Sequence, residues 1–592
     1  MVATRFPVLP IRRVSADSLG TAGALGGLAL MWTLPFLWTT HLFPMPSLYS
    51  ELAAACCLGF ALLSCALLKR HDAQLQWPLP VLLLALTALA FAQQGLGMLA
   101  YVQLAIRFAL FAFAMLAAYV FGRQIVAAGC TVEAVKVLCA GCLIGGIFSV
   151  LVQWLQLFDL EVLPFWLAAV YKSDVVQHRP FGNLAQANHQ ATYLALAAIS
   201  ALYLGRTSRR NWLAPASLLL LSAGVALTGS RMGVAFLVLL MLAQFVPTAL
   251  RPEDRRARWL ACGAVFAGFG VALLAVRLVV VQIDTLGRPM GIRYELWRQA
   301  WEIALQHPWL GIGVGQFGGG QYWVAKAGPY TVQATNCHNA ILELAAELGW
   351  PAALAAAGVA LYWGLRDLRA RLAQPEQALA WGMVLMIAIH SMLEFPLWYL
   401  FFAVPFAFLF GLGEPALARS VKVDARRMLP MAGATTLAIV MAFEVGYPEI
   451  AAAATPLWLE MNHIRKRAAV DAFPIIAVAD NKLFQPEVER LMLELKHPPD
   501  EGTNGPLERN ARLLRVLPAV ELAAQYVTEL AKVGRIDEAI LHASRLRVFA
   551  GTNYPLYRDV VLDETRNLGP QTAPLRHALR QKDPGLQEPA TR

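Results

Sequence analysis

A long series of apolar runs, most of them closed by a short cluster of arginine or lysine, constrains this chain more than any single motif. Arg5, Arg12 and Arg13 precede the first run, Gly20 to Phe43, and Lys69 and Arg70 close the second, near Leu48 to Leu68. Further runs follow at 77–93, 99–121, 131–158, 191–204, 212–227, 234–250, 259–281, 339–365, 378–393, 397–412 and 428–446. A hydrocarbon core of about 30 Å takes roughly 20 apolar residues of helix, so the pattern predicts an all-α polytopic membrane protein of about 13 transmembrane helices. The clusters Arg206-Arg209-Arg210, Arg251-Arg255-Arg256-Arg258, Arg366-Arg369-Arg371 and Arg419-Lys422-Arg426-Arg427 all fall on one side of that count. Positive charge marks the cytoplasm, which puts the N-terminal tail, residues 1–19, inside.

Composition agrees and narrows the partners. The chain is 58% hydrophobic and only 15% charged, with a mean hydropathy of +0.52, well above soluble globular domains. Its net charge of +10 sits mostly in the clusters between apolar runs. That is how topology is encoded, and no nucleic-acid module accompanies it. The cysteines lie mostly inside apolar segments, with no zinc-like spacing, and read as small core residues.

The residues that remain polar gather on the other, outer side. The stretch Thr335 to Gly349 runs from a polar loop into an apolar helix with His338 and Asn339 at the junction. Glu343 and Glu347 stand one turn apart on that helix and predict a hydrophilic cavity beneath His338, because charge at that depth must face protein or water. Arg231 sits in a turn too short to be a loop domain, on the side where arginine is disfavoured, and its planar fork suits phosphate. Gln186, Asn188 and His189 follow a Gly182-Asn183 turn and offer neutral donors and acceptors for sugar or phosphate oxygens, with Asn188 equally suited to capping the next helix.

Two outer loops, about 159–190 and 282–338, carry most of these groups. The second contains Arg288 and an expected amphipathic helix, Ile292 to Gln306, presenting Arg293. Gly311, Gly313 and Gly315 lack the flanking pattern of a nucleotide-binding loop. Arg107, inside the fourth run, faces either a polar cavity or a structural partner within the bundle. From about residue 447 the chain reads as a helical domain. Gly534 separates two helical segments, the second restarting at Asp537-Glu538-Ala539, in the manner of a tetratricopeptide-like hairpin. Segments 485–496 and 506–517 are expected to stack beside it.

The set Ser230-Arg231, Arg293-x-x-Leu-Trp297, His307-Pro-Trp-Leu-Gly-Ile-Gly and His338-Asn339-x-x-Leu-Glu-x-x-x-Glu-Leu-Gly349 resembles the O-antigen ligase and polymerase superfamily. The Gly182-to-His189 cluster, His390-x-x-x-Glu394-Phe-Pro396 and the helical tail resemble its protein O-oligosaccharyltransferases, the PglL-type or pilin-glycosylating ligases. The resemblance implies a GT-C-like bundle over 20–446 in a bacterial inner membrane and a periplasmic tail over 447–592. It further implies en bloc transfer of a glycan from undecaprenyl diphosphate to Ser or Thr of a pilin-like or other periplasmic protein, with no metal or other cofactor. His338 then matches the family's essential outer-loop histidine and Tyr399 a tyrosine of the protein-glycosylating branch, the two catalytic candidates, while Arg231 and Arg293 match its outer arginines. Arg288, Gln186, Asn188, His189, Asn339 and Glu394 join them as candidates for holding diphosphate or glycan. An O-antigen ligase, an O-antigen polymerase and, from a different class, a lipid-linked glycan flippase are the rival readings. A flippase is expected to carry polar groups at mid-membrane on broken, repeated helices.

Overall fold

The computed structural model describes residues 16–67, 72–158, 179–207, 212–246, 248–250, 254–279, 291–325, 332–414, 420–461, 481–493 and 505–581. Helices occupy every apolar run: α1 (Ala16–Met31), α2 (Leu48–Ser64), α3 (Pro78–Gly95), α4 (Val102–Ala127), α5 (Thr131–Leu157), α6 (Ala187–Thr207), α7 (Leu213–Leu227), α8 (Arg231–Ala243) and α9 (Arg255–Val279) come first. Then follow α10 (Gly291–Gln306), α11 (Phe317–Val324), α12 (Ala340–Leu348), α13 (Trp350–Leu365), α14 (Pro375–Ser391), α15 (Leu400–Leu412) and α16 (Ala425–Met461). Among the described residues, seven helical segments are long and apolar enough to cross a membrane, and α7, α8, α13 and α15 are shorter apolar helices. Their exposed faces are also apolar, as at Leu84, Phe266, Leu273, Leu354 and Met431, as a bilayer solvent requires.

α6 and α15 form the centre. Every residue of α15, and α6 from His189 to Tyr203, is buried. On the arginine-rich side a short antiparallel pair, β1 (Ala73–Leu75) and β2 (Val421–Val423), aligns Gln74 with Lys422.

The run expected as one helix from Asn339 to Leu365 is broken. Gly349 adopts φ 85°, ψ 163°, a conformation that costs a side chain dearly, and this separates α12 from α13. Glu343 and Glu347, 2% and 4% exposed, do not line a hydrophilic cavity. Glu343 accepts the Cys337 amide at 2.5 Å and Glu347 accepts the Phe317 amide at 3.0 Å, at the start of α11. They work as anchors for backbone, each taking a main-chain amide on one oxygen. The expected boundary at residue 447 also falls inside a helix, since α16 runs on to Met461.

The C-terminal helices are α17 (Gln485–Met492), α18 (Gly505–Leu514), α19 (Val520–Lys532), α20 (Ile536–Ala550), α21 (Tyr554–Glu564) and α22 (Ala573–Arg580). α19 and α20 pair as a hairpin across Gly534, and neighbours bury its faces around Val527, Leu530, Leu546 and Val561. This unit docks on the ends of the bundle away from the β1–β2 pair. Arg107 meets a structural partner: both its terminal nitrogens reach the Glu487 carboxylate at 2.7 Å. Tyr101 donates to Glu489 at 2.7 Å, and the Tyr322 hydroxyl lies 2.9 Å from His542 Nδ1.

The closest approach is at α11, where a Cβ on Gly319 would fall on the backbone of Leu514 and Arg515. We expect Gly319→Leu to lift the C-terminal helices off α11 at a cost of about 1–3 kcal/mol, the range for overpacking. Hydrogen exchange would register this as faster labelling of residues 505–550, with α2 to α6 unchanged.

Candidate active site

Asn339 caps α12: its side-chain oxygen accepts the Ile341 and Leu342 amides at 3.1 and 3.0 Å, as Asn does well at that position. Its amide nitrogen donates to the Met392 carbonyl at 3.2 Å, tying the cap to the end of α14. His338, just before the cap, has φ +59°. A non-glycine residue there is uncommon and must be held by its surroundings. Glu343 holds the Cys337 amide on one side, Asn339 grips α14 on the other, and the Phe395 ring edges the imidazole with centroids 4.9 Å apart.

The imidazole points at Glu394, in the turn between α14 and α15 and outside the membrane-spanning helices. His338 Nδ1 lies 2.6 Å from Glu394 Oε2, and Arg293 of α10 donates to Glu394 Oε1 at 2.5 Å. Asn188 Nδ2 donates to the same Oε1 at 2.8 Å, and Gln186 Nε2 reaches Oε2 at 3.5 Å. The Glu394 side chain is 4% exposed, while His338 and Arg293 are 25% and 32% exposed. The site therefore presents a partly open face of imidazole and guanidinium over a closed anionic centre. Burial would push the Glu394 carboxyl up, but the hydrogen bond and charge of His338, with the Arg293 guanidinium, outweigh it and hold the group at about 2.

Gln186 supplies the capping bond at the start of α6, its Oε1 accepting the His189 amide at 2.6 Å. That leaves Asn188 for Glu394 instead of the cap. His189 lies beneath, buried, its ring 5.0 Å from Tyr399 and 5.2 Å from His390. Tyr399 is not brought against His338; it packs on His189 and on Phe395, the ring that also touches His338.

Arg231 is exposed as the first residue of α8, which Ser230 caps through the Gly233 amide at 3.4 Å. Its turn is joined to the cluster through a residue that sequence reasoning passed over. Arg179 Nε donates to the Thr228 carbonyl at 2.7 Å and Nη2 reaches Asn188 Oδ1 at 3.4 Å. The signal was available, since Arg179 lies beside the Gly182-Asn183 turn, on the side where the charge pattern disfavours arginine. Arg288 lies outside the described residues. Among the described residues, no three His, Cys, Asp or Glu side chains gather as a metal site.

Three family models match in succession along the chain. The one described as protein glycosylation ligase covers residues 180–204, that of O-antigen ligase covers 216–357, and that of virulence factor membrane-bound polymerase, C-terminal, covers 378–561. The chain resembles the protein-glycosylating ligases of the O-antigen ligase superfamily. A general O-oligosaccharyltransferase of Acinetobacter baylyi is 27% identical over 286 residues, 45% of this chain and 50% of the relative. The chain thus spans half the length of that relative. Gln186, Asn188 and His189 fall within the first of these matched segments, Arg231, Arg293 and His338 within the second, and Glu394 and Tyr399 within the third. The Glu394 carboxylate joins all three.

The held-down carboxyl sets a pH dependence. Because its folded pKa of about 2 is below its ordinary 4.5, Glu394 stabilises the folded state fully above pH 4.5. It loses that contribution as pH falls toward 2, in total about 3 kcal/mol. Thermal unfolding in detergent across pH 6 to 2 should show wild type losing more stability than Glu394→Gln between those two values. Parallel curves would contradict the charge assignment.

Proposed function

We propose that this protein is a glycosyltransferase that moves a glycan en bloc from undecaprenyl diphosphate to a Ser or Thr hydroxyl of a protein, at the outer face of a bacterial inner membrane. On this reading the 13 apolar runs cross the bilayer, with residues 1–19 inside. The C-terminal helices, a tetratricopeptide-like unit, lie in the periplasm. The observation that carries the reading is the bond between His338 Nδ1 and Glu394 Oε2, with Arg293 on the same carboxylate.

An ionised carboxylate only accepts hydrogen bonds, so Nδ1 of His338 carries the hydrogen and the neutral ring keeps its lone pair on Nε2. That is the tautomer a general base needs, with the ring oriented by a buried acid. In the proposed step the acceptor hydroxyl oxygen forms a bond to the anomeric carbon. The bond from that carbon to the diphosphate oxygen breaks, its electron pair stays on the diphosphate, and the hydroxyl proton passes to Nε2. Attack opposite the leaving group inverts the anomeric centre. Arg293 and Arg231, with Arg288 and Arg179 as further candidates, stabilise the charge that develops on the leaving oxygens. Gln186, Asn188 and Asn339 position the groups around them, and His189 and Tyr399 support the floor.

The protein glycosylation ligase match over the stretch that grips Glu394 favours a protein acceptor over lipid A core. Incubating the detergent-purified protein with lipid-linked glycan and either a pilin-like protein or lipid A core separates the two acceptors. With the preferred acceptor we expect His338→Ala to lower the turnover number by roughly 10²–10⁴. Glu394→Gln should fall by at least ~10², since a side-chain amide can present an N–H to Nδ1 and reverse the tautomer. Full activity in His338→Ala would remove the proposed base.

A further inference from the structure

Beside the outer loop, a cleft of about 480 Å³ opens between the end of α10, the 311–316 turn, α11 and the C-terminal helices. That volume falls in the ordinary range for small-ligand sites. Its lining includes Gln306, His307, Gln316, Trp323, Arg515 and Arg545, and no Asp or Glu. Arg545 lies over the Trp323 ring, 4.3 Å from its centre. Arg515 donates to the Met98 carbonyl. Among the described residues neither guanidinium has a carboxylate partner. Gln316 is part of the frame, its amide spent on Ala100, Met98 and Ile312. Gln306, His307 and Trp323 are exposed and available.

We infer that this cleft is a subsite for an acidic sugar residue of the glycan, a hexuronic acid or similar carboxylated pyranose. The inference rests on the proposed glycan transfer and names a substrate feature that the Glu394 cluster does not specify. One pyranose of this kind supplies each matching part. Its carboxylate meets two guanidinium groups not neutralised by acid, its hydroxyls meet Gln306 and His307, and its carbon face lies on the indole. A peptide strand fits less well, because it seeks main-chain partners. Here the wall is already engaged: Gly311, Ile312 and Gly313 donate to His307, Ala346 and Glu347 carbonyls.

The test uses the full-length protein in detergent and three soluble probes followed by saturation-transfer NMR: a glucuronyl-glucose disaccharide, a diglucose disaccharide and a hexapeptide containing two aspartates. The acidic disaccharide is expected to bind at least tenfold tighter than the neutral one, and Arg545→Gln to abolish that preference. Should Arg545→Gln unfold, the exposed His307→Ala is expected to weaken the acidic disaccharide about threefold, and an unchanged affinity there counts against the site. Equal binding of the two disaccharides, tighter binding of the hexapeptide, or a preference that survives Arg545→Gln overturns the inference. Transfer from lipid-linked glycan is assayed in parallel. Transfer without acidic-sugar preference removes only the subsite, and preference without transfer removes only the proposed function.

Discussion

A carboxylate taken out of water must find donors, and the structure around Glu394 is the solution this chain provides. His338, Arg293, Asn188 and Gln186 all turn toward it from different helices and loops. Breaking such a buried charge cluster from one side leaves an uncompensated ion, which is far costlier than never forming it. The cluster therefore fixes α6, α10 and the loop before α12 relative to one another. It also divides the labour by exposure, since the acid is covered while imidazole and guanidinium remain partly open.

A second layer of buried polar groups holds the first. Gln93 of α3 donates to the Leu310 and Glu347 carbonyls at 2.6 and 2.8 Å and accepts the Val314 amide at 3.1 Å. Glu343 and Glu347 grip the amides of Cys337 and Phe317. These contacts stitch the outer loop to α12 through main-chain atoms, and they let His338 keep a backbone conformation that an isolated loop would abandon. Preorganisation of this kind lets a site stabilise charge without rearranging as the charge appears.

Much of this was legible in the sequence, and for identifiable reasons. Apolar runs long enough to matter to a bilayer are a one-dimensional signal, and helices lie in every one of them. The histidine, two of the arginines and the Gln/Asn pair were visible as polar groups on the side where polarity is unusual. Their arrangement was not. Glu394 is 101 residues from Arg293 and 56 from His338, and no local pattern shows that it is a hub and not one more ligand. The roles of Glu343 and Glu347 were misread because helical spacing reports which face a side chain occupies, not what backbone lies across from it. The break at Gly349 was hidden in the same way. A glycine inside an apolar run reads as tolerated until the loop packed against it is known, here the Pro308 carbonyl that takes the Trp350 amide at 2.9 Å.

That break has a mechanical consequence. Apolar helices respond to a thicker or thinner bilayer by tilting, and a continuous rod from residue 339 to 365 would swing its histidine-bearing tip with every such adjustment. With the rod divided at Gly349, α13 can lean beyond its first turn while α12 stays held by the Glu347 bond to the start of α11 and by Gln93 of α3 on the Glu347 carbonyl. The imidazole before α12 is thereby decoupled from the tilt of α13.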